Sequence, residues 1–256
     1  MLTIKQISEQ YPEHLQGFKR NMLREYLQYK ILEALFEVPK ASSLYFIGGT
    51  ALRIVHGTAR FSEALDFDTP NITADEFLIF SEGIKKSLEL QGYSIEIKNV
   101  IKGAYHCYIR FPKMLFESGL SPYEEEKILI QIDAEAQGFD YEPEMTLINK
   151  FDIFTRIPVA PIEILLSQKI CAALKRKRAK GRDFYDIVFL FAKTKPDFTH
   201  LSEKLGIKDM KGLKEALLSK CNTLDFQHLV KDVSPFLFFE KDRNKIQLFP
   251  EFVKSL

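Results

Sequence analysis

The chain has 256 residues, 46% of them hydrophobic and 28% charged, with a formal net charge of +1. That length holds one large or two small globular domains with ample core. A charge so close to zero excludes a globally basic nucleic-acid binder, so any basic surface must be local.

Cys107, Cys171 and Cys221 lie far apart, with no Cys-x-x-Cys or Cys/His cluster. This argues against a zinc site and a disulfide framework and fits a reducing cytoplasm. Met1 to Gln6 lacks the charged-then-apolar pattern of a signal peptide, and no apolar run approaches membrane-spanning length. The expectation is a cytoplasmic protein with no membrane partner.

Gln16 to Phe36 has helical spacing, with Leu23, Tyr26, Leu27, Ile31 and Leu35 on an apolar face. Ser43 to Ile47 is a short aromatic and branched run, which predicts a buried strand. Gly48 and Gly49 break that strand, and Thr50 to Val55 is helical again. Leu65 to Asp68 alternates apolar and acidic residues, so on a strand Asp66 and Asp68 point to one side. Asp75 to Gln91 is helical and ends at Gly92, while Tyr93 to Val100 and Ala104 to Phe111 read as a strand pair turning at Lys102-Gly103. Lys127 to Ala136 puts Ile128, Ile130, Ile132 and Ala134 on one face and Gln131, Asp133 and Glu135 on the other.

Pro158 and Pro161 mark the passage into a helical region. The predicted division is therefore 1–157, an α/β domain, and 158–256, a helical domain. Ile162 to Lys175 is helical, with Ile162, Leu165, Leu166 and Ala173 on one stripe and Lys169 in its middle. A charge on an apolar stripe needs a partner or must snorkel to water. Lys175 to Arg182 packs six cationic residues into eight positions, a run suited to nucleotide phosphates or an RNA backbone. A helix from Asp183 to Lys193 follows, with Asp183 and Asp186 in its first turn. Beyond Pro196 the pattern predicts short helices at 201–205 and 211–218, then apolar patches at 234–239 and 249–252.

The chemistry concentrates at two places. The double glycine lets backbone approach a ligand closely, and the helix after it offers amides and a positive dipole end that suit a phosphate. Two carboxylates on one strand face repel unless a cation lies between them, and magnesium takes such ligands together with triphosphate oxygens. Gly48, Gly49 and Thr50 as a phosphate cradle beside Asp66 and Asp68 therefore point to metal-assisted phosphoryl or nucleotidyl transfer. Arg60, between the two, either holds a phosphate or pairs with an acid.

Gly48-Gly49-Thr50-Ala51-Leu52, then Arg60-Phe61-Ser62-Glu63-x-Leu65-Asp66-Phe67, resembles the AbiEii/AbiGii nucleotidyltransferase toxins of the polymerase-β-like superfamily. The likeness extends to Arg24–Gln28 and Arg182–Ile187. It implies a mixed sheet with flanking helices followed by a mostly helical half, an α/β (α+β) fold. The family reads Ser-Glu-Asp-Leu-Asp where this chain has Ala64 in place of the first acid. Either the metal pair is displaced to Asp66 and Asp68, which keep an acid-apolar-acid form, or one ligand is missing.

The resemblance also implies a third metal carboxylate on a neighbouring strand, for which Asp133 is the candidate and Glu135 the second. It places Lys169 against triphosphate or leaving pyrophosphate, with Asp183 orienting Lys169 or an arginine. Arg60, Arg176 and Arg182 join the nucleotide-binding set. The implied cofactor is Mg2+, and the implied partners are a nucleoside triphosphate, RNA such as the tRNA 3′ end, and a cognate antitoxin. The alternatives are transfer to a small-molecule hydroxyl such as an antibiotic, or a relic that binds nucleotide or protein without catalysis.

Overall fold

In a computed structural model describing residues 1–256, the chain forms two units, Met1–Val55 with Phe61–Val159, and His56–Arg60 with Ala160–Leu256. The first unit holds α1 (Ile4–Ser8), α2 (Lys19–Phe36), β1 (Tyr45–Ile47), α3 (Gly48–Ile54), β2 (Leu65–Asp68) and α4 (Ala74–Leu90). It continues through β3 (Glu96–Lys102), β4 (Ala104–Phe111), α5 (Met114–Glu117), β5 (Ile128–Glu135), β6 (Glu144–Lys150) and β7 (Ile153–Val159).

The seven strands make one mixed sheet in the order β3-β4-β5-β2-β1-β7-β6. β1 pairs antiparallel with β2 and parallel with β7, and β2 pairs parallel with β5. One face carries Phe46, Leu65, Phe67, Ile109, Ile130, Ile132 and Ile157, each at most 3% exposed. Helices α2 and α4 pack on strands of this sheet. The fold is thus the expected α/β arrangement of a mixed sheet with flanking helices.

Local chemistry sets most element ends. Thr73 and Glu76 form a reciprocal capping box that starts α4. Gly92, at φ +87°, ends it, and the Tyr93 amide returns to the Leu88 carbonyl at 3.0 Å. For that reason β3 begins at Glu96, and Tyr93 closes the helix instead of opening the strand. The β6–β7 hairpin lies outside the predicted elements. Exposed Met145, Leu147 and Phe154 sit where alternation would ask for polar residues, which hides the period-two signal. α2 is buried around much of its circumference, including Glu25, Gln28 and Lys30. It is a core helix where the sequence suggests a half-solvated one.

The second unit is helical: α6 (Ile162–Lys175), α7 (Gly181–Phe191), α8 (Phe198–Leu205), α9 (Met210–Cys221), α10 (Phe226–Val233), α11 (Asn244–Gln247) and α12 (Phe249–Ser255). Asp197, Asp209 and Asp225 each cap a helix by accepting backbone amides at 2.7–3.1 Å. The apolar patch at 249–252 opens α12, and Phe249 packs against Phe184 with ring centroids 5.0 Å apart. The strip His56–Arg60 belongs to this unit, where the Phe238 amide donates to the Ala59 carbonyl at 3.0 Å.

Gly181 is required by packing. A Cβ there would fall 2.0 Å from the Leu229 carbonyl oxygen of α10, and its amide is capped by Asp232 at 3.0 Å. Gly181→Ala should therefore push α7 off α10 and cost about 1–3 kcal/mol. A denaturant titration in which the variant matches the wild-type midpoint would contradict this close approach.

Candidate active site

The predicted acids meet on the open face of the sheet. Ile47 is in register with Asp66, Tyr45 with Asp68, and across the parallel pairing Asp66 is in register with Asp133. Register partners share a face, so Asp66, Asp68 and Asp133 all point away from the core. Glu135, in register with Asp68, lies on the same face and is exposed.

Asp66 is locked against the double glycine. Gly48 has φ +78°, a left-handed conformation that glycine adopts without steric cost. A Cβ at Gly48 would sit 2.2 Å from Asp66 Oδ2 and 2.8 Å from its Cγ. The absence of a side chain thus lets the carboxylate lie directly on the bend. α3 starts at Gly48 itself, so the glycines open the helix instead of forming a loop before it. Thr50 is fully buried, and its hydroxyl donates to the Ala64 carbonyl. The position that lacks the family's first acid therefore serves as the acceptor tying α3 to the start of β2.

Asp68 and Asp133 each have protein partners. Asp68 is 2% exposed; its Oδ1 accepts the Gln137 amide at 2.9 Å and its Oδ2 the Tyr141 hydroxyl at 2.8 Å. It anchors the segment after β5, and the Tyr141 ring stands 5.7 Å from Tyr45. Asp133 Oδ1 lies 2.5 Å from His106 Nδ1 and accepts from Gln131 Nε2 at 2.6 Å. Both His106 and Asp133 side chains are 31% exposed.

No three His, Cys, Asp or Glu side chains are grouped closely enough to enclose a metal by themselves. This donor set still fits magnesium, which is commonly held by one or two carboxylates while substrate phosphates and water complete its shell. Asp66, on the glycine bend, and Asp133, one strand away, supply such a pair. Asp68 faces the same way, and both its oxygens accept protein donors.

In the helical unit the predicted cations and acids form an alternating chain. Arg176 meets Asp183 at 2.7 Å, Lys169 approaches Asp183 at 3.7 Å and Asp186 at 2.8 Å, and Arg60 meets Asp186. Arg60 donates to both Asp186 oxygens at 2.7 Å, a bidentate pair, and is 1% exposed. Of the two roles open to Arg60, pairing with an acid is the one this arrangement displays. Lys169 resolves its place on the apolar stripe by finding two carboxylates; its side chain is only 12% exposed.

Burial would raise the Asp186 carboxyl, but the Arg60 and Lys169 charges outweigh it and hold it below the usual carboxylate range. Asp183 does not cap α7, whose N-cap is Lys180. It is 1% exposed and touches both Lys169 and Arg176. Lys175, Arg176, Lys177 and Arg178 are exposed, and Arg182 is half-buried.

The profile of the nucleotidyl transferase AbiEii toxins, type IV toxin–antitoxin systems, matches residues 30–243. The chain belongs to the AbiEii toxin family. An AbiEii-family chain is a nucleotidyltransferase, and the family implies a nucleotide substrate and an antitoxin partner. Nucleotidyltransferases of this kind generally use a divalent metal. The fold has solved parallels in two Helicobacter pylori crystal structures: JHP933, and a protein described as a proposed nucleotidyltransferase. Each has a TM-score of 0.55, 19% identity and covers 92% of this chain; the alignments span 92% and 95% of those chains. No curated protein matches the sequence. No helix of this AbiEii-family chain is long and apolar enough to cross a membrane.

Several residues of the AbiEii-family chain escaped the sequence reading. Asp186, the common partner of Arg60 and Lys169, passes there for an ordinary first-turn acid. Its signal was the excess of cations on otherwise apolar surfaces, which demands a buried counter-charge. Glu25 is 2% exposed and joins Arg53 at 2.7 Å, Lys150 at 2.7 Å and the Tyr11 hydroxyl at 2.9 Å. Burial raises the Glu25 carboxyl, and Arg53 and Lys150 more than reverse this. The His106 contact with Asp133 required the strand register, which the sequence does not supply.

Proposed function

We propose that this AbiEii-family enzyme moves a nucleotidyl group from a nucleoside triphosphate to a hydroxyl at an RNA 3′ end, with Mg2+ as the metal. The observation that carries this reading is the Asp66 carboxylate lying on the Gly48 bend. A phosphate brought to the Gly48-Gly49 backbone would face that carboxylate directly, and a cation is needed between them. In this reading Asp66 and Asp133 would hold Mg2+, with Asp68 adding charge behind them. The metal, when bound, supplies Lewis-acid polarisation of the phosphate and lowers the pKa of a coordinated hydroxyl.

The acceptor oxygen bonds to the α-phosphorus, the bond from that phosphorus to the β-bridging oxygen breaks, and pyrophosphate leaves. The hydroxyl proton passes to an oxygen of the carboxylate pair or to water. Asp66 and Asp133 orient the acceptor, and the Gly48-Gly49 backbone orients the phosphates. Within the helical unit, Asp183 orients Lys169 and Arg176, cations that together with Arg182 suit phosphate oxygens of nucleotide or RNA.

The test is incubation of the protein with each α-labelled triphosphate, Mg2+ and total RNA. Label should enter RNA with one triphosphate preferred. Asp66→Asn should reduce transfer by more than about 100-fold, since even outer partners of metal ligands cost about 10–100-fold. Chelation should have the same effect. Transfer that is indifferent to Asp66→Asn would remove the carboxylate from the mechanism and the reading with it.

A further inference from the structure

The open face of β3, β4 and β5 carries aromatic and cationic side chains for which the transfer step alone has no use. The strand register arranges them in rows. Val100, His106, Asp133 and Asp66 form one row, and Lys98, Tyr108 and Gln131 form the next. The opposite face of β4 is core, with Cys107, Ile109 and Phe111 at most 1% exposed, so His106, Tyr108 and Arg110 all project to the open side.

The His106 and Tyr108 rings are 6.4 Å apart and inclined by only 34°. The Arg110 guanidinium stands 6.0 Å from the Tyr108 ring. Glu96, the acid in register with Arg110, pairs with Lys127 at 2.6 Å. Lys98 and Lys102 are exposed on the edge strand. Edge lysines by themselves serve to block strand-to-strand aggregation. That role does not account for a ring in the acid row, a second ring one row on and a guanidinium in the row beyond.

We infer that this face is the acceptor platform and that it takes a single-stranded RNA 3′ end. The inference rests on the nucleotidyl-transfer reading and names the acceptor's docking surface. Unpaired bases stack on aromatic rings and guanidinium planes, while lysines at the rim meet the phosphates. Duplex RNA keeps its bases stacked inside and cannot use the rings. Strands lie about 4.8 Å apart, so His106 is two strand spacings, about 10 Å, from the Asp66 position. A base on His106 or Tyr108 therefore directs the following ribose toward Asp133 and Asp66.

The experiment measures binding of the whole chain to a short labelled single-stranded RNA and to the matched duplex, with no nucleotide or metal. Tyr108→Ala should weaken single-strand binding by roughly 5- to 150-fold, the range for one stacked base. Tyr108→Phe, which keeps the ring, should bind as wild type and shows that the loss is not misfolding. Replacing Lys98 and Lys102 by Ala should lower the salt slope by about 1.4, two phosphate contacts' worth. The duplex should bind more weakly and ignore Tyr108→Ala. Single-strand binding unchanged in both the tyrosine and the lysine variants overturns the platform, and so does duplex binding that depends on Tyr108 equally. If wild type binds through Tyr108 but transfers no label, the platform stands and the transfer reading fails. If Tyr108→Ala transfers label to RNA undiminished, the platform fails and the transfer reading stands.

Discussion

Gly48→Ala is expected to yield a folded protein that has lost nearly all nucleotidyl transfer. Two costs combine at this position. The backbone sits at φ +78°, where a side chain costs about 1–3 kcal/mol. The new methyl would also stand 2.2 Å from Asp66 Oδ2 and 2.9 Å from Asp66 Cβ, distances that force the carboxylate to move. The strain is small beside a typical folding stability of about 5–15 kcal/mol, so the fold should survive. Displacement of the acid has a different scale, because an error near 1 Å at a reacting group costs on the order of 100-fold in rate.

Gly57→Ala is the control. Gly57 has a similar φ of +73°, but nothing lies within 4 Å of an added Cβ. It should show the strain without the loss of transfer. Thermal melts and label-transfer rates on the two variants check both statements. Equal activity in Gly48→Ala and wild type would mean that the Asp66 position against the bend does not matter to catalysis.

Asp186→Asn should be the most destabilising conservative change in the chain. Arg60 and Lys169 both lean on this carboxylate, and the first is 1% exposed. Neutralising the acid leaves their charges buried with Asp183 as the remaining acid near Lys169, and breaking such a pair costs about 3–5 kcal/mol. For a chain of this size that corresponds to a Tm lower by on the order of 10 °C. The pH dependence has a definite sign. The folded carboxyl titrates below the ordinary aspartate value of about 3.8, so its stabilising contribution is complete above that value. It is lost as pH falls through the lower, folded pKa. The gap between wild type and Asp186→Asn should therefore be full at pH 7 and narrow in acid below about 3.8. A gap that widens on acidification would contradict the ion-pair account.

Both predictions concern residues whose types the sequence displays and whose partners it conceals. The ends of β2 at Leu65 and Asp68, and of α6 at Ile162 and Lys175, agree with the residue pattern. Alternation and helical spacing arise within a few residues and are decided there. The glycine bend and the acid face of β2 were legible for the same reason. The β6–β7 hairpin was not, because its outward side chains are apolar and erase the contrast between faces.

By itself, then, the sequence determined most local elements apart from the β6–β7 hairpin, the mixed α/β character, and the three places where charge or glycine demanded an explanation: the bend, the acids and Lys169. Only the tertiary structure decided the pairings. It set Asp66 beside Asp133 through a parallel register, gave Asp68 to Tyr141 and Gln137, and brought Asp186 to Arg60 across 126 positions of chain. The physical reason is that a charge's partner is chosen by burial and strand register. Those are fixed by contacts between distant segments, and no short window of residues carries them.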